Sequence, residues 1–360
     1  MKYSLFFLIQ TPRNGRPMKA FYDDRVEQAV WAEKLGFDAI FMAEHAFVDH
    51  GKPSSAVILS NFAARTSRLR LGTAVSVLPW HNPIEVAQDF ATLDILSDGR
   101  LDFGVGRGLF KCEFDGYGVP WDEAQGRFDE SLEVILKAWT GRPFTHKGRY
   151  FQYPEIEVSP APIQRPHPPL WQPCLSPSTM TRVVQRGMIP IMGASFSPLE
   201  SLKKQFMQLD RIVTEQNRSD IRRVGHPFIY VGDSKKKAQE EARAAAEWYL
   251  ADFAKMFTLG PGETWPDQYK FYEPWAEFIK SLTADRVFAE DLMWVGDVDF
   301  VLERLRWLRD ECKVNYLLTD MAFGGLDNEL IMKSMERLAT KVMPQLNLDT
   351  PHKIVQGATV

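Results

Sequence analysis

The stretch LRLGTAVSVLPWHNPIEVAQDFATLDILSDGRLDFGVGRGL, residues 69–109, constrains the fold more than any other part of the chain. Residues 69–78 form an apolar run of small and branched side chains, as a buried strand requires. Residues 83–96 place Ile84, Val86, Ala87, Phe90 and Leu93 at helical spacing, and Gly99 ends that helix. Residues 101–105 are a second strand. A strand, a helix and a strand in so short a span imply a right-handed parallel crossover. The second strand ends in Gly104-Val-Gly106-Arg107-Gly108. Glycines at the carboxyl end of a parallel strand let a ligand approach the backbone, and Arg107 sets a cation there. In a barrel of such units the active site lies at that end. The pattern is that of a phosphate site.

The alternation continues in both directions. Strands are expected over 3–8, 38–43, 169–175, 189–192, 226–231 and 315–318. Helices are expected over 24–35, 54–66, 123–139, 179–186, 199–216, 235–257, 298–310 and 329–340, with Gly36 closing the first and Ser54 capping the second. Two stretches break the rhythm, an insertion at 143–168 rich in Pro, Tyr and Phe and an irregular, aromatic one at 258–294. Eight strands and about eight helices describe a single α/β domain over residues 1–360, a (β/α)8 barrel with two insertions. A doubly wound open sheet has the same alternation, because strand order is invisible in sequence.

The net charge of −4 over 360 residues is spread through interleaved acids and bases, so no basic field suits nucleic acid or an anionic membrane. The apolar start, residues 3–9, is too short for a span or a secretory core and reads as a first buried strand; no other segment approaches a transmembrane length. Cys112, Cys174 and Cys312 are odd in number and scattered, which suggests reduced thiols in a cytoplasm. No His or Cys pair has ligand spacing, so no metal is expected.

Glu44-His45 falls at the carboxyl end of the second strand. His45 there is a candidate general acid, base or hydrogen-bond donor, or a structural His bonded to a loop carbonyl. Thr73, Ala74 and Val75 end the third strand, where small residues allow close approach of a flat ligand or simply fit a tight interior. Arg107, with Gly106, Gly108 and Leu109, meets either an anion or a loop carboxylate. Ser176 and Thr179 open a helix, where hydroxyls and free N–H groups bind phosphate and also serve as ordinary caps. His81 could line the pocket; His146, His167 and His352 fall in loops or the tail, and His226 reads as core. The run Gly104-x-Gly106-x-Gly108 is weak as a dinucleotide fingerprint.

The ordered set Glu44-His45, Gly72-Thr-Ala, Val77-Leu-Pro, Asn82-Pro83, Leu93-Asp94, Gly99-Arg100, Phe103-Gly104-x-Gly-Arg107-Gly-Leu109 and Phe114-x-x-Tyr-Gly118 resembles the bacterial luciferase-like flavin monooxygenases. The similarity to the luciferase alpha chain and its non-luminous relatives runs from Lys2 to Met343-Pro344. It implies a TIM barrel that takes FMN as FMNH2 from a separate flavin reductase, adds O2 through a C4a-peroxyflavin, and oxygenates a small apolar organic substrate. It implies that Arg107, Ser176 and Thr179 hold the phosphate, that Thr73, Ala74 and Val75 back the isoalloxazine, often through a non-proline cis peptide, and that Glu44 and His45 lie beside it with His45 catalytic. It also implies a homodimer, expected through the apolar helix 54–66.

The sequence departs from the luminous pattern at three places. Ala46 replaces a second His, Gly106 stands where luciferases carry a reactive cysteine, and His81-Asn82 replaces an Ala-His pair. Light emission and long-chain aldehyde specificity are therefore not expected. The alternatives are an F420-dependent hydride-transfer oxidoreductase on the same barrel and a non-catalytic flavin-binding protein. The aromatics Trp265, Tyr269, Phe271, Tyr272, Trp275 and Phe278 form either a water-excluding lid or a static subdomain.

Overall fold

A computed structural model describes residues 1–10, 16–48, 54–193 and 196–348. Its parallel strands are β1 (Lys2–Phe7), β2 (Ala39–Met42), β3 (Arg70–Thr73), β4 (Leu101–Gly106), β5 (Leu170–Pro173), β6 (Ile189–Met192), β7 (Val224–Gly225) and β8 (Tyr316–Asp320). Each pairs with the next, and β8 returns to β1 with Lys2 opposite Tyr316, so the sheet closes into an eight-stranded barrel. Closure excludes the open doubly wound sheet. Strands covered by helices outside and packed side chains inside must be apolar on both faces, and every residue of β2 and β4 is buried.

The lower end of the barrel is plugged. Phe41 meets Trp171 at 4.9 Å and Trp171 meets Tyr316 at 5.1 Å, both edge-on. Asp102 accepts from Trp171 Nε1 at 3.2 Å and pairs with Arg70 at 2.7 Å. With that end filled, the carboxyl ends of the strands form the open mouth.

The third strand is not the single run expected over 69–78. It breaks after Thr73, the Ala74–Val75 peptide is cis, and Ser76–Val77 resumes pairing against Val105 and Gly106. Thr73 Oγ1 donates to the Gly104 carbonyl at 2.6 Å and accepts from the Gly104 amide at 3.0 Å. A Cβ on Gly104 would sit 1.9 Å from the Thr73 carbonyl oxygen, so only glycine fits where the strands approach. The seventh strand also differs. The barrel uses Val224–Gly225, and Ile229–Val231 leaves to pair with Trp294–Gly296 outside it. Pro227, which offers no N–H, lies between the two.

The insertion at 143–168 contains an antiparallel hairpin, Phe144–Lys147 with Gln152–Ile156. The stretch at 258–294 is not irregular, as the sequence suggested. It holds the helices Glu273–Lys280 and Ala284–Ala289. Pro274 masked the first of these, although proline suits a helix's first turn.

Candidate active site

A cavity of about 270 Å³ opens at the mouth. Of the residues singled out from sequence, Glu44, His45, Ala74, Val75, Gly106, Arg107, Gly108, Leu109 and Thr179 line it. Thr73 and Ser176 do not. Thr73 spends its hydroxyl on clasping β3 to β4. Ser176 caps the helix Pro177–Gln185, accepting from the Thr179 amide at 3.3 Å and donating to Thr179 Oγ1 at 2.9 Å.

One end of the cavity is strongly positive. Arg107 donates through Nη1 to Gln125 Oε1 at 3.2 Å and through Nη2 to the Gln268 carbonyl at 2.9 Å, and its guanidinium lies 4.5 Å over the Tyr269 ring. Arg182 reaches the same Gln125 oxygen at 3.2 Å and Thr179 Oγ1 at 3.5 Å. Among the described residues neither guanidinium has a carboxylate within the 4.0 Å of an ion pair. The loop carboxylate that could have claimed Arg107 is absent from them. Burial holds the Arg182 guanidinium below its ordinary value; Asp129 opposes this and Arg107 adds to it. Arg182 was not singled out from sequence, although it lies three residues after Thr179 on one helix, a spacing that puts both on the same side.

The wall beside this pole is made of Ala74, Val75 and Gly106, and a Cβ on Gly106 would come within 2.4 Å of Val75 Cγ2. Glycine at 106 is thus matched to the Ala74–Val75 segment. Glu44, 5% exposed, accepts from the Val77 amide at 3.3 Å and lies 3.4 Å from His81 Nε2, bracing the same segment. His81 itself is not part of the cavity lining.

His45 Nδ1 lies 3.3 Å from Glu113 Oε1, and that oxygen also accepts from the Ala46 amide at 2.9 Å. Glu113 is buried on the helix Lys111–Tyr117, an element the sequence reading did not contain. Cys112 precedes it, and burial together with Glu113 pushes its thiol up to about 11, so it is no ready thiolate.

The remaining wall is largely apolar, with Phe6, Leu8, Phe110, Ile191, Tyr249, Phe253 and Leu318; His226 and Gln172 are the polar side chains in it. The aromatics of the second insertion divide. Tyr272 and Trp275 line the cavity. Tyr269 donates to the Gly108 carbonyl at 2.9 Å and stacks on Trp121 at 4.9 Å, with Trp265 also against Trp121. Phe271 is exposed. His146 is buried against Glu130 in the hairpin region, away from the cavity, and His352 lies outside the described residues. No group of three potential metal ligands occurs among the described residues, and none of their helices is long and apolar enough to cross a membrane.

Residues 1–310 match the model of the luciferase-like monooxygenase family. The chain belongs to that family. It is an enzyme of the monooxygenase type. This luciferase-like monooxygenase is 30% identical over 257 residues to the oxygenase component of a flavin-dependent trigonelline monooxygenase from Acinetobacter baylyi, spanning 69% of this chain and 70% of that one. It is 24% identical over 359 residues to the alkanal monooxygenase alpha chain of Photobacterium leiognathi, 96% and 99% of the two chains. Among solved structures, the fold matches the oxygenating constituent of 3,6-diketocamphane monooxygenase from Pseudomonas putida, in complex with FMN, with a TM-score of 0.79 at 19% identity, over 96% of this chain and 99% of that one. It also matches an F420-dependent secondary alcohol dehydrogenase with a TM-score of 0.72 at 19% identity, over 95% and 98%.

Proposed function

We propose that the chain is the oxygenase of a two-component system. It takes FMN as FMNH2 from a separate reductase and uses O2 to oxygenate a small apolar organic substrate, as a homodimer in the cytoplasm. The observation that carries this reading is the pair Arg107 and Arg182. Two guanidiniums converge on one neutral acceptor with no carboxylate against either among the described residues, an arrangement that suits a dianionic phosphate.

The residues fit FMN on two counts. The positive pole offers Arg107, Arg182 and Thr179 to the phosphate, beside the helix start at Ser176. Ala74, Val75 and Gly106 line the cavity with small side chains, against which a flat ring can lie. When bound, reduced FMN supplies the two electrons with which one oxygen atom enters the product and the other leaves as water.

The chain's own residues do the rest. Tyr272, Trp275, Phe110 and Phe253 surround the cavity with apolar surface and exclude water. Tyr269, tied to the Gly108 carbonyl, anchors the second insertion over the strand end that carries Arg107. Glu113 orients the His45 ring through Nδ1, and His45, which lines the cavity, is the group that holds or moves a proton there.

Anaerobic titration with FMNH2, followed by rapid mixing with O2, tests the reading. Tight binding of FMNH2 and O2-dependent turnover are expected. Turnover with reduced F420 and no O2 uptake would replace it with hydride transfer, and flavin binding without any turnover would reduce the chain to a flavin carrier.

A further inference from the structure

His226 is a polar side chain set in an apolar wall. It follows β7, and its ring meets Phe6 edge-on at 4.5 Å, with Leu8, Ile191, Tyr249 and Leu318 completing that side of the cavity. Its Nε2 is sealed and has no hydrogen-bond partner among the described residues. A buried N–H donor left unpaired is rarer in folded proteins than an under-used acceptor. The favoured tautomer therefore keeps Nε2 unprotonated and carries its proton on Nδ1, the nitrogen that is not sealed.

The side chain is only half-buried by area, and it borders both this cavity and a second, smaller one lined by Phe196, Phe228 and Leu308. Desolvation pushes the imidazole down to about 4, so it is neutral at ordinary pH. Glu44, Glu113 and Arg107 line the same cavity. At His226 itself a substrate carboxylate would meet an uncharged ring among apolar side chains.

We infer that His226 is a specificity-determining residue that donates, through Nδ1–H, to a neutral acceptor oxygen on a compact and otherwise apolar substrate, and that the site selects such molecules against carboxylates of the same shape. The inference rests on the cavity's being the substrate site of the proposed oxygenase, but not on which flavin is used.

Acetophenone and benzoate are a matched pair of probes, similar in size and shape and differing in charge. Calorimetric titration of each into the protein, with and without FMN, reads the selection directly. Acetophenone should bind the wild type at least tenfold more tightly than benzoate. His226→Leu should weaken acetophenone about tenfold and leave FMN affinity unchanged, while His226→Asn, which keeps an N–H donor, should stay within about threefold of wild type. Equal or tighter binding of benzoate, failure of acetophenone to bind the wild type, or full acetophenone affinity in His226→Leu would each overturn the inference. If His226→Leu does not fold, the wild-type ratio and the Asn variant decide. A protein that takes up no FMN, yet still binds acetophenone in a His226-dependent way, would defeat the oxygenase reading and leave this one standing.

Discussion

Arg107 and Arg182 donate to one and the same atom: Gln125 Oε1 lies 3.2 Å from each. A single neutral oxygen cannot neutralise two guanidiniums, and their mutual repulsion persists until an anion arrives. Gln125 Nε2 is itself held by Asp129 at 2.9 Å, which fixes the amide with its oxygen toward the two cations. The amide thus holds both forks in place without discharging them.

Removing either cation should therefore weaken FMN more than riboflavin. Arg107→Ala is expected to cost about 2–4 kcal/mol of FMN affinity, the scale of a charge-assisted pair in a site. Arg182→Ala should cost about half as much, because Arg107 lines the cavity and Arg182 reaches it only through Gln125 and Thr179. Flavin fluorescence titrations with FMN and riboflavin check both. FMN affinity in Arg107→Ala within twofold of wild type would refute the phosphate assignment.

The contact between Gly104 and Thr73 predicts a stability effect with no ligand present. Alanine at 104 puts a methyl group 1.9 Å from the Thr73 carbonyl oxygen, which belongs to the backbone and cannot swing aside. Overpacking of this kind typically costs about 1–3 kcal/mol, and the upper end is expected here because the two strands must part. Urea denaturation of Gly104→Ala measures it, and an unchanged midpoint would contradict the geometry.

The same contact shows what sequence could and could not say. The crossover from 69 to 109, the glycines at the strand end and Arg107 are local patterns, and the barrel and its positive pole follow from them. Arg182 was equally within reach, being one helical turn from Thr179. Glu113 was not, since it sits on a seven-residue helix, KCEFDGY, with glycine inside and at its end. The seventh strand misled for a different reason. The apolar run after His226 reads as barrel strand, but pairing partners are set by tertiary closure, and Ile229–Val231 finds Trp294–Gly296.

Two desolvated groups give opposite pH dependences. Asp320 ends β8 fully buried, with Oδ1 accepting from the Ala322 amide at 3.2 Å and Oδ2 without a partner among the described residues. Burial pushes its carboxyl up to about 8, partly offset by that amide and by Arg25. The folded state thus holds a proton that the unfolded state has lost, and stability falls as pH rises from about 4 to 8. His226, depressed to about 4, binds its proton less well when folded, so its contribution is lost as pH falls from about 6.5 toward 4. Above pH 6.5 only the Asp320 slope of this pair remains. Asp320→Asn keeps the acceptor for Ala322 and should be more stable than wild type at pH 8, the gap closing toward pH 5. Denaturant midpoints at pH 5, 6.5 and 8 test this, and a gap that is flat or reversed would count against it.

On the outer surface, Val57 is 69% exposed and Leu96 63%, on neighbouring helices Ser55–Ala63 and Pro83–Leu96. Ile58, Leu59 and Phe62 of the first helix face inward, so only part of its apolar character is used within the chain. A homodimer through this surface would cover the rest. Sedimentation velocity at micromolar concentration should show a dimer, and Val57→Glu should shift it toward monomer. A monomeric wild type would rule the interface out.

His45 and Glu113 make the sharpest catalytic prediction, because the pair separates positioning from chemistry. The Glu113 carboxylate is fixed from two sides, by the Ala46 amide at 2.9 Å and by His45 Nδ1 at 3.3 Å, so it holds the ring while remaining buried itself. General acid–base groups typically contribute ~10²–10⁴-fold. His45→Ala should therefore leave FMN affinity within about threefold and lower oxygenated product per FMNH2 consumed, with the lost reducing equivalents released as hydrogen peroxide. Glu113→Gln keeps an acceptor oxygen for the His45 ring and the Ala46 amide, so it should lower the coupled yield less than His45→Ala does. Product yield and peroxide release are read together, with circular dichroism to confirm the fold. Equal coupling and equal rate in wild type and His45→Ala would make His45 structural, and a yield in Glu113→Gln as low as in His45→Ala would show that an acceptor oxygen alone does not position the ring.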